Sequence, residues 1–343
     1  MYRFTNPGNQ LRKPGANRGG GVPSLTLAHI SDLHIGPLPR PGLRALAGKR
    51  VTGFLSWRLK RSKIHRREVL EQLAADLAEQ KPDHIAVTGD LVNIALPDEF
   101  AQAHAFLKTI GTPDRVTVVP GNHDAYVSLP WSKAAGLWDA YMTGKHCDES
   151  GAERPPRDVR DFPFVRRMGG IALIGVSTAL PTRPFSAAGE LGATQIQRLD
   201  TILEQLGEAG AFRIILIHHP PFGGGAYKRK SLRDAAPLAE IVRKRGCELM
   251  LHGHTHMSQL GRMKGPNTSV PVIGVPSASA VLTDHRDPSR YHIYRLSRGE
   301  RNDGAWTLTV SMRELKADGS GFSPIGEIVL LGETNPPVLQ QCA

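Results

Sequence analysis

Short apolar runs, each cut off by a cluster of polar residues, organise most of the chain. The runs occupy 25–30, 84–88, 116–119, 213–217 and 248–251 and are rich in Leu, Ile and Val. Runs this short, with helical patterns between them, read as buried strands of an α/β sheet. Leu70, Leu73, Ala74 and Leu77 share one face of a helix over 68–80, and Ile196, Leu199, Ile202, Leu203 and Leu206 share one over 193–206. The stretches 98–109, 132–141 and 234–245 also read as helices; Ser231 or Asp234 is placed to cap the last, and Gly246 to end it. After residue 256 the pattern changes to strands, at 270–275, 291–296, 306–315 and 326–331. Asn302-Asp303-Gly304 and Asp318-Gly319 are turn signals between them. These last runs are expected to complete a second sheet packed on the first. The polar, Pro- and Arg-rich stretch 144–160 reads as an insertion loop.

The same pattern sets the expected organisation. Residues 1–23, rich in Gly, Asn, Arg and Pro, read as a mobile tail without the apolar core of a secretory signal. One domain is expected over 24–332, with a basic insertion at 37–67 and a C-terminal tail at 333–343. Of 343 residues, 40% are hydrophobic and 22% charged, ordinary for a soluble globular chain. No apolar stretch approaches the roughly 18–20 residues that span a bilayer. Cys147, Cys247 and Cys342 lie far apart with no Cys-x-x-Cys spacing, which argues against a zinc ribbon or a disulfide framework. A cytoplasmic protein is expected, with peripheral membrane association open because of its charge.

That charge, net +11, is concentrated. From Arg40 to Arg67 there are Arg40, Arg44, Lys49, Arg50, Arg58, Lys60, Arg61, Lys63, Arg66 and Arg67, and no Asp or Glu. An anionic lipid or membrane surface, a phosphate-bearing substrate or nucleic acid would suit such a segment. Nucleic acid is the weaker reading, since only Phe54 and Trp57 are interleaved aromatics.

The polar clusters carry the chemistry. They are His29-Ile30-Ser31-Asp32-Leu33-His34, Gly89-Asp90, Gly121-Asn122-His123-Asp124, His218-His219-Pro220-Pro221 and His252-Gly253-His254-Thr255-His256. Each stands where a strand should end, the edge at which open α/β sheets gather their sites. Asp, Asn and His together offer the oxygen and nitrogen ligands of divalent metals. Asp32 and His34, like His254 and His256, are spaced to place two side chains on one side of an extended chain. Taken singly, Asp-x-His or Gly-Asp is common as a turn; five such clusters in one chain are hard to account for structurally.

The order Asp-x-His, Gly-Asp, Gly-Asn-His-Asp, His and Gly-His-x-His resembles the calcineurin-like metallophosphoesterase superfamily. Its compact His-His-Pro-Pro form and its length are similar to the bacterial cyclic-nucleotide phosphodiesterase branch. The resemblance implies a two-sheet β-sandwich flanked by helices, an α/β/β/α arrangement, with a dinuclear metal site at the strand ends. It implies that Asp32, His34, Asp90 and His256 hold one divalent ion and that Asp90, Asn122, His218 and His254 hold the other, Asp90 bridging. Manganese and iron are the favoured metals, with zinc an alternative. His123 is implied as a catalytic group beside the leaving oxygen, with Asp124 or another carboxylate as its partner. His29, His219 and His252 would orient ligands.

The implied reaction is hydrolysis of a phosphodiester, such as a 3',5'-cyclic nucleotide, by a metal-bridging hydroxide. Two alternatives stand beside it. One is cleavage of a nucleotide-linked lipid pyrophosphate such as UDP-diacylglucosamine, which would use the basic insertion as a cap. The other is a protein-binding scaffold without activity, which such a complete ligand set disfavours. Within the insertion Leu43, Leu46, Ala47, Val51, Phe54, Leu55 and Trp57 lie broadly at helical spacing. The segment is expected either to pack its apolar side on the core and solvate its basic side, or to cap the site.

Overall fold

The computed structural model describes residues 24–46, 48–146, 152–222, 228–283, 287–299 and 305–331. The expected tails, Ala47, Cys147, Cys342 and the 302–304 turn lie outside the described residues. Cys247 is buried with a free thiol.

The strands in chain order are β1 (Ser24–Ile30), β2 (His84–Val87), β3 (Val116–Val118), β4 (Gly144–His146), β5 (Glu153–Arg154), β6 (Phe164–Met168) and β7 (Ile171–Gly175). They continue with β8 (Phe212–Leu216), β9 (Leu249–His252), β10 (Gln259–Lys264), β11 (Ser269–Gly274), β12 (Arg290–Arg298), β13 (Trp306–Leu315) and β14 (Phe322–Leu331). The longer helices are α1 (Lys49–Ser56), α2 (Arg67–Gln80), α3 (Pro97–Ile110), α4 (Ala193–Glu208) and α5 (Ala235–Arg245).

Two sheets form. The first runs in the order β14-β13-β12-β1-β2-β3, the second in the order β10-β11-β9-β8-β7-β6-β4-β5. Alternation along the second sheet fixes its two faces. Leu173, Ile214, Leu216, Leu249 and Leu251 share one core with the first sheet and with Leu70, Leu73 and Leu77 of α2 and Phe100 and Leu107 of α3. The neighbours Ala172, Ile174, Ile215, Ile217 and Met250 form a second core with Leu199, Ile202 and Leu203 of α4 and Leu238, Ile241 and Val242 of α5. Helices, sheet, sheet and helices therefore stack as the expected sandwich. β1, β2 and β3 are parallel in one sheet, and β7, β8, β9 and β11 in the other, so that successive strand ends fall on common edges.

Several expectations need correction. The last three strands do not build the second sheet. β12 pairs antiparallel with β1, Leu25 opposite Leu296 and His29 opposite His292, and β13 and β14 follow it into the first sheet. Only the 270–275 run joins the second sheet, as β11. The stretch 144–160 is more than a loop: β4 and β5 extend the second sheet's edge there. Over 132–141 there is no α-helix; 3₁₀ turns Trp131–Lys133 and Ala135–Met142 replace it, kinked at Trp138. The kink seats the Trp138 ring against Phe100 at 5.3 Å, so packing overrides the helical pattern. Asp234 does not cap α5; its carboxylate accepts from the backbone N–H of Leu191 and of Gly192. Gly246 ends α5 with φ 70°, a conformation glycine adopts without steric cost.

The basic insertion is helical but differently aimed. After a 3₁₀ turn (Leu43–Leu46), α1 passes into a wider π-type turn (Trp57–Arg61) and a last turn (Ser62–Ile64). Phe54 and Trp57 pack on the core, while Val51, Leu55 and Leu59 face outward. Arg50 points inward, its Nε donating to Ile94 O at 3.1 Å. The expected split into an apolar inner and a basic outer face therefore does not hold. Among the described residues, no helix is long and apolar enough to cross a membrane.

Candidate metal centre

Five loops converge at one edge of the sandwich. Those after β1 and β2 zip together, Asp32 N–H donating to Gly89 O and His34 N–H to Asp90 O, each at 2.9 Å. Asp32 (φ 53°), His34 (42°), Asp90 (55°), His254 (69°) and His256 (55°) all adopt left-handed backbone. Non-glycine residues held there cost on the order of 1–3 kcal/mol each and persist only where their surroundings over-determine them. Two glycines allow the close approach. A Cβ on Gly253 would run into Ser31 Oγ and Asp32 Oδ2, and one on Gly121 into the Asp90 carboxylate.

The donor atoms form two groups that share Asp90. In one, His256 Nε2 lies 3.1 Å from Asp32 Oδ1 and 3.2 Å from His34 Nε2, which is 3.8 Å from Asp90 Oδ2. In the other, His218 Nε2 is 3.4 Å from the same Asp90 Oδ2 and 3.1 Å from Asn122 Oδ1. The His254 ring stands 5.2 Å from that of His218, its Nε2 against Lys230 O at 2.8 Å and its backbone N–H donating to Asp32 Oδ2 at 2.9 Å. All seven residues expected as ligands are thus brought to one place.

Hydrogen bonding does not complete this arrangement. Asp32 Oδ1 is buried without a donor in hydrogen-bonding geometry, and the ring nitrogens of His34 and His256 face each other. Electron-pair donors turned toward one another suit a divalent cation. At the outer ring nitrogens, His218 Nδ1 meets Thr88 O at 2.7 Å, a contact that places the proton on Nδ1 and leaves Nε2 to ligate, while His34 Nδ1 faces both Val92 O at 3.2 Å and Arg61 Nη2 at 2.8 Å.

Electrostatics follow from burial. It pushes the His34 ring well below its usual range, with Arg61 acting the same way, and takes His254 down to about 4. Burial would raise the Asp90 carboxyl, but His218 and His123 hold it well below the usual carboxylate range. Burial would equally lower His218, yet Asp90 lifts it to about 9. A proton on His218 here balances the charge a cation would balance, and a bound cation displaces it.

The three expected orienting histidines are each held by hydrogen bonds, and the His219 ring packs 4.3 Å from that of His254 and 5.0 Å from that of His218. His29 Nε2 meets Thr88 Oγ1 at 2.9 Å, His219 Nδ1 meets Thr178 Oγ1 at 2.7 Å and its Nε2 meets Ala187 O at 3.0 Å, and His252 Nδ1 meets Gly253 O at 3.0 Å. Asp124 is not the partner of His123. Its carboxylate accepts from the backbone N–H groups of Asp90 (2.9 Å), Leu91 (2.9 Å), Val92 (3.1 Å) and Gly121 (2.8 Å), stapling two ligand loops together. His123 instead sets Nδ1 against Asn93 O and stacks on Tyr126, ring centroids 5.4 Å apart. Burial, then Arg61, pushes its imidazole down to about 3, so the ring is neutral at pH 7.

Three participants lie outside the expected site residues. Glu99, buried, accepts from the N–H groups of Asn93, Ile94 and Leu96 and fixes the loop behind His123. Arg61 and His65, one helical turn apart in the insertion, enter the site. Arg61 Nη2 is 2.8 Å from His34 Nδ1, and the His65 ring is 4.6 Å from that of His34. His65 Nδ1 also meets Ser279 Oγ at 2.9 Å. The available signal was the run of basic residues beginning straight after His34.

The family profile described as calcineurin-like phosphoesterase matches residues 25–258, more than half of the chain. The chain belongs to that family. This phosphoesterase is 26% identical over 208 residues to a "probable cyclic nucleotide phosphodiesterase" of Rhodococcus erythropolis, covering 60% of each protein. The chain thus spans less than two thirds of that relative's length. To a similarly named protein of Synechococcus sp. (strain WH7803) it is 24% identical over 230 residues, covering 61% of this chain and 72% of the other. Among solved structures, a dimetal phosphatase from Danio rerio superposes with a TM-score of 0.57 at 10% identity, over 90% of this chain and 98% of that one. A purple acid phosphatase from yellow lupin gives 0.52 at 13% identity, over 91% and 55%. At these identities the two structures speak for the fold alone. Members of the calcineurin-like phosphoesterase family hydrolyse phosphoester bonds at a dinuclear divalent metal site.

Proposed function

We propose that this phosphoesterase hydrolyses a phosphodiester of the nucleotide class, a 3',5'-cyclic nucleotide being the candidate that the names of its relatives suggest. The observation that carries the reading is the pair of donor groups sharing Asp90. Asp32, His34, Asp90 and His256 would hold one ion and Asp90, Asn122, His218 and His254 the other. Bound there, two divalent ions supply positive charge for the phosphoryl oxygens and lower the pKa of water toward neutrality.

The chain's own groups do the rest. Asp124 and the zipped loops hold the ligands in strained positions, so little reorganisation accompanies reaction. His123 keeps Nδ1–H on the Asn93 carbonyl and turns Nε2 toward the Arg61 guanidinium, Nη1 at 3.5 Å. Neutral before substrate arrives, the ring gains basicity when an anionic phosphate lies beside it. Taking up a proton from solvent at Nε2, it can then pass that proton to the departing alkoxide.

A second substrate class is favoured by one observation. Val51 (43% exposed), Leu55 (51%) and Leu59 (67%) stand one helical turn apart on the insertion, with Arg58, Lys60 and Lys63 also facing water. Leu282 (57%) is close by, since Val281 N–H donates to Ile64 O at 3.0 Å. A basic, apolar rim suits an amphiphilic substrate such as a lipid-linked nucleotide pyrophosphate at an anionic surface.

The test is hydrolysis of bis(p-nitrophenyl) phosphate by metal-stripped and manganese-restored protein, followed by cyclic nucleotides and lipid-linked pyrophosphates. Activity should appear only with metal. Full activity in thoroughly stripped protein would contradict the reading, and the preferred natural substrate decides between the two classes.

A further inference from the structure

We propose that Arg61, delivered by the basic insertion, binds a phosphoryl oxygen of the substrate. The inference rests on the phosphoesterase reading and deepens it by assigning a phosphate-binding residue outside the expected ligand set.

The guanidinium lies between His34 and His123, Nη2 at 2.8 Å from His34 Nδ1 and Nη1 at 3.4 Å from His123 Nδ1. Those rings belong to the metal-ligand group and to the group beside the leaving oxygen, so a phosphate held between them lies within reach of the guanidinium.

His34 Nδ1 also faces Val92 O at 3.2 Å. One nitrogen cannot both donate to the carbonyl and accept from Arg61. A ring that ligates through Nε2 carries its proton on Nδ1, and that proton goes to Val92 O. Nη2 then no longer donates to the imidazole, and an anion in the same space offers it an acceptor instead. Its planar fork of donors, which cannot be deprotonated, matches phosphoryl oxygens.

The segment is also built to hold Arg61 there. His65 N–H donates to Arg61 O at 2.8 Å, Arg66 N–H to Ser279 O at 2.9 Å, and Ser277 Oγ, 3.3 Å from His65 Nδ1, donates to Asp32 O at 2.6 Å. Upstream, Gly53 sits so close to Ile94 and Tyr126 that a Cβ there would meet both. Lys49 lies over the Tyr126 ring at 4.3 Å and reaches Thr182 Oγ1 at 2.8 Å. The insertion is thus fastened on both sides of Arg61.

The test uses metal-loaded full-length protein and inorganic phosphate as the probe. Phosphate affinity is measured by calorimetric titration and metal content by elemental analysis, for the parent, Arg61→Ala, Arg61→Gln and Arg61→Lys. Loss of one charge-assisted contact should weaken phosphate binding roughly tenfold or more in the alanine and glutamine variants. Lysine should recover part of it, and metal content should match the parent in all. Glutamine keeps the stem, so it covers the case in which alanine disturbs the segment. Phosphate binding within twofold of the parent in both neutral variants would overturn the proposal. So would weakened binding that tracks metal loss, which would make Arg61 a support for His34. Arg61-dependent phosphate binding by a metal-loaded parent that hydrolyses no phosphodiester would uphold this inference and remove the functional reading instead.

Discussion

Asp124 shows how much of the site hangs on a residue that is not among the expected ligands. Its two carboxylate oxygens satisfy four backbone N–H groups, from Asp90, Leu91, Val92 and Gly121. Asp124→Ala strands buried donors and releases the loop that presents Asp90. The expected cost is about 3 kcal/mol or more, given 1–3 kcal/mol for each unsatisfied buried group. Urea unfolding should show it, and elemental analysis should show metal lost with it. His123→Ala separates from this. On the proposed reading it removes the proton donor to the leaving oxygen while leaving the donor groups whole, so turnover should fall by about 10²–10⁴. Metal content should stay near that of the parent; a His123→Ala protein stripped of metal would place His123 among the ligands. That these residues would meet was legible because each is a polar residue in a strand-end cluster, and three of them, Asp90, Asn122 and His254, follow a glycine with no room for a Cβ. The direction in which Asp124 points, and the reach of Arg61 back into the site, were not legible, because both depend on contacts across the fold.

At the scale of elements, buried histidines in the strands make an acid limit. His84, on β2, meets Thr117 Oγ1 at 2.7 Å, and burial, then Arg166, pushes it down to about 3. His292, on β12, is pushed down to about 3 by burial, then Arg290. Unfolded, both would titrate near the ordinary value of about 6.5. Between that pH and about 3 the unfolded chain therefore binds protons that the folded chain does not. Their contribution is complete above about pH 6.5 and falls by about 1.4 kcal/mol per histidine per pH unit below it. The urea midpoint should drop between pH 7.5 and 5, and drop less in His84→Gln. An equal drop in both proteins would contradict this assignment.

The insertion gives a second element-scale test. Val51, Leu55 and Leu59 changed together to Ser should leave hydrolysis of a small chromogenic diester unchanged and weaken binding to vesicles of anionic lipid. Equal vesicle binding by variant and parent would remove the amphiphile reading. Element existence was readable where periodicity was strong, as in α2, α3, α4 and α5. It failed for β6, where Arg166 and Arg167 interrupt the apolar run, and for the 132–141 stretch, where ring packing bends the chain.

For the whole molecule, the sandwich places two parallel strand sets so that loops from both sheets meet. Strand order within the sheets could not be read from local pattern, because the pairing of β12 with β1 joins residues far apart in the chain. The layers were expected from the family resemblance, and alternating residues of the second sheet divide between two cores accordingly. Metal binding joins the loops of the two sheets and should therefore stabilise the folded chain as a whole. Ligand linkage gives about 2.7 kcal/mol at a free metal concentration one hundred times its dissociation constant. Chelation should lower the melting temperature, and restored manganese should raise it again.

The most direct measurement is metal per chain in the parent and in Asp90→Asn, by elemental analysis after loading and desalting. Two donor groups sharing one carboxylate predict two divalent ions in the parent and substantial loss of metal in the variant, with activity lost alongside. Two ions retained in Asp90→Asn, or no stoichiometric metal in an active parent, would contradict the account.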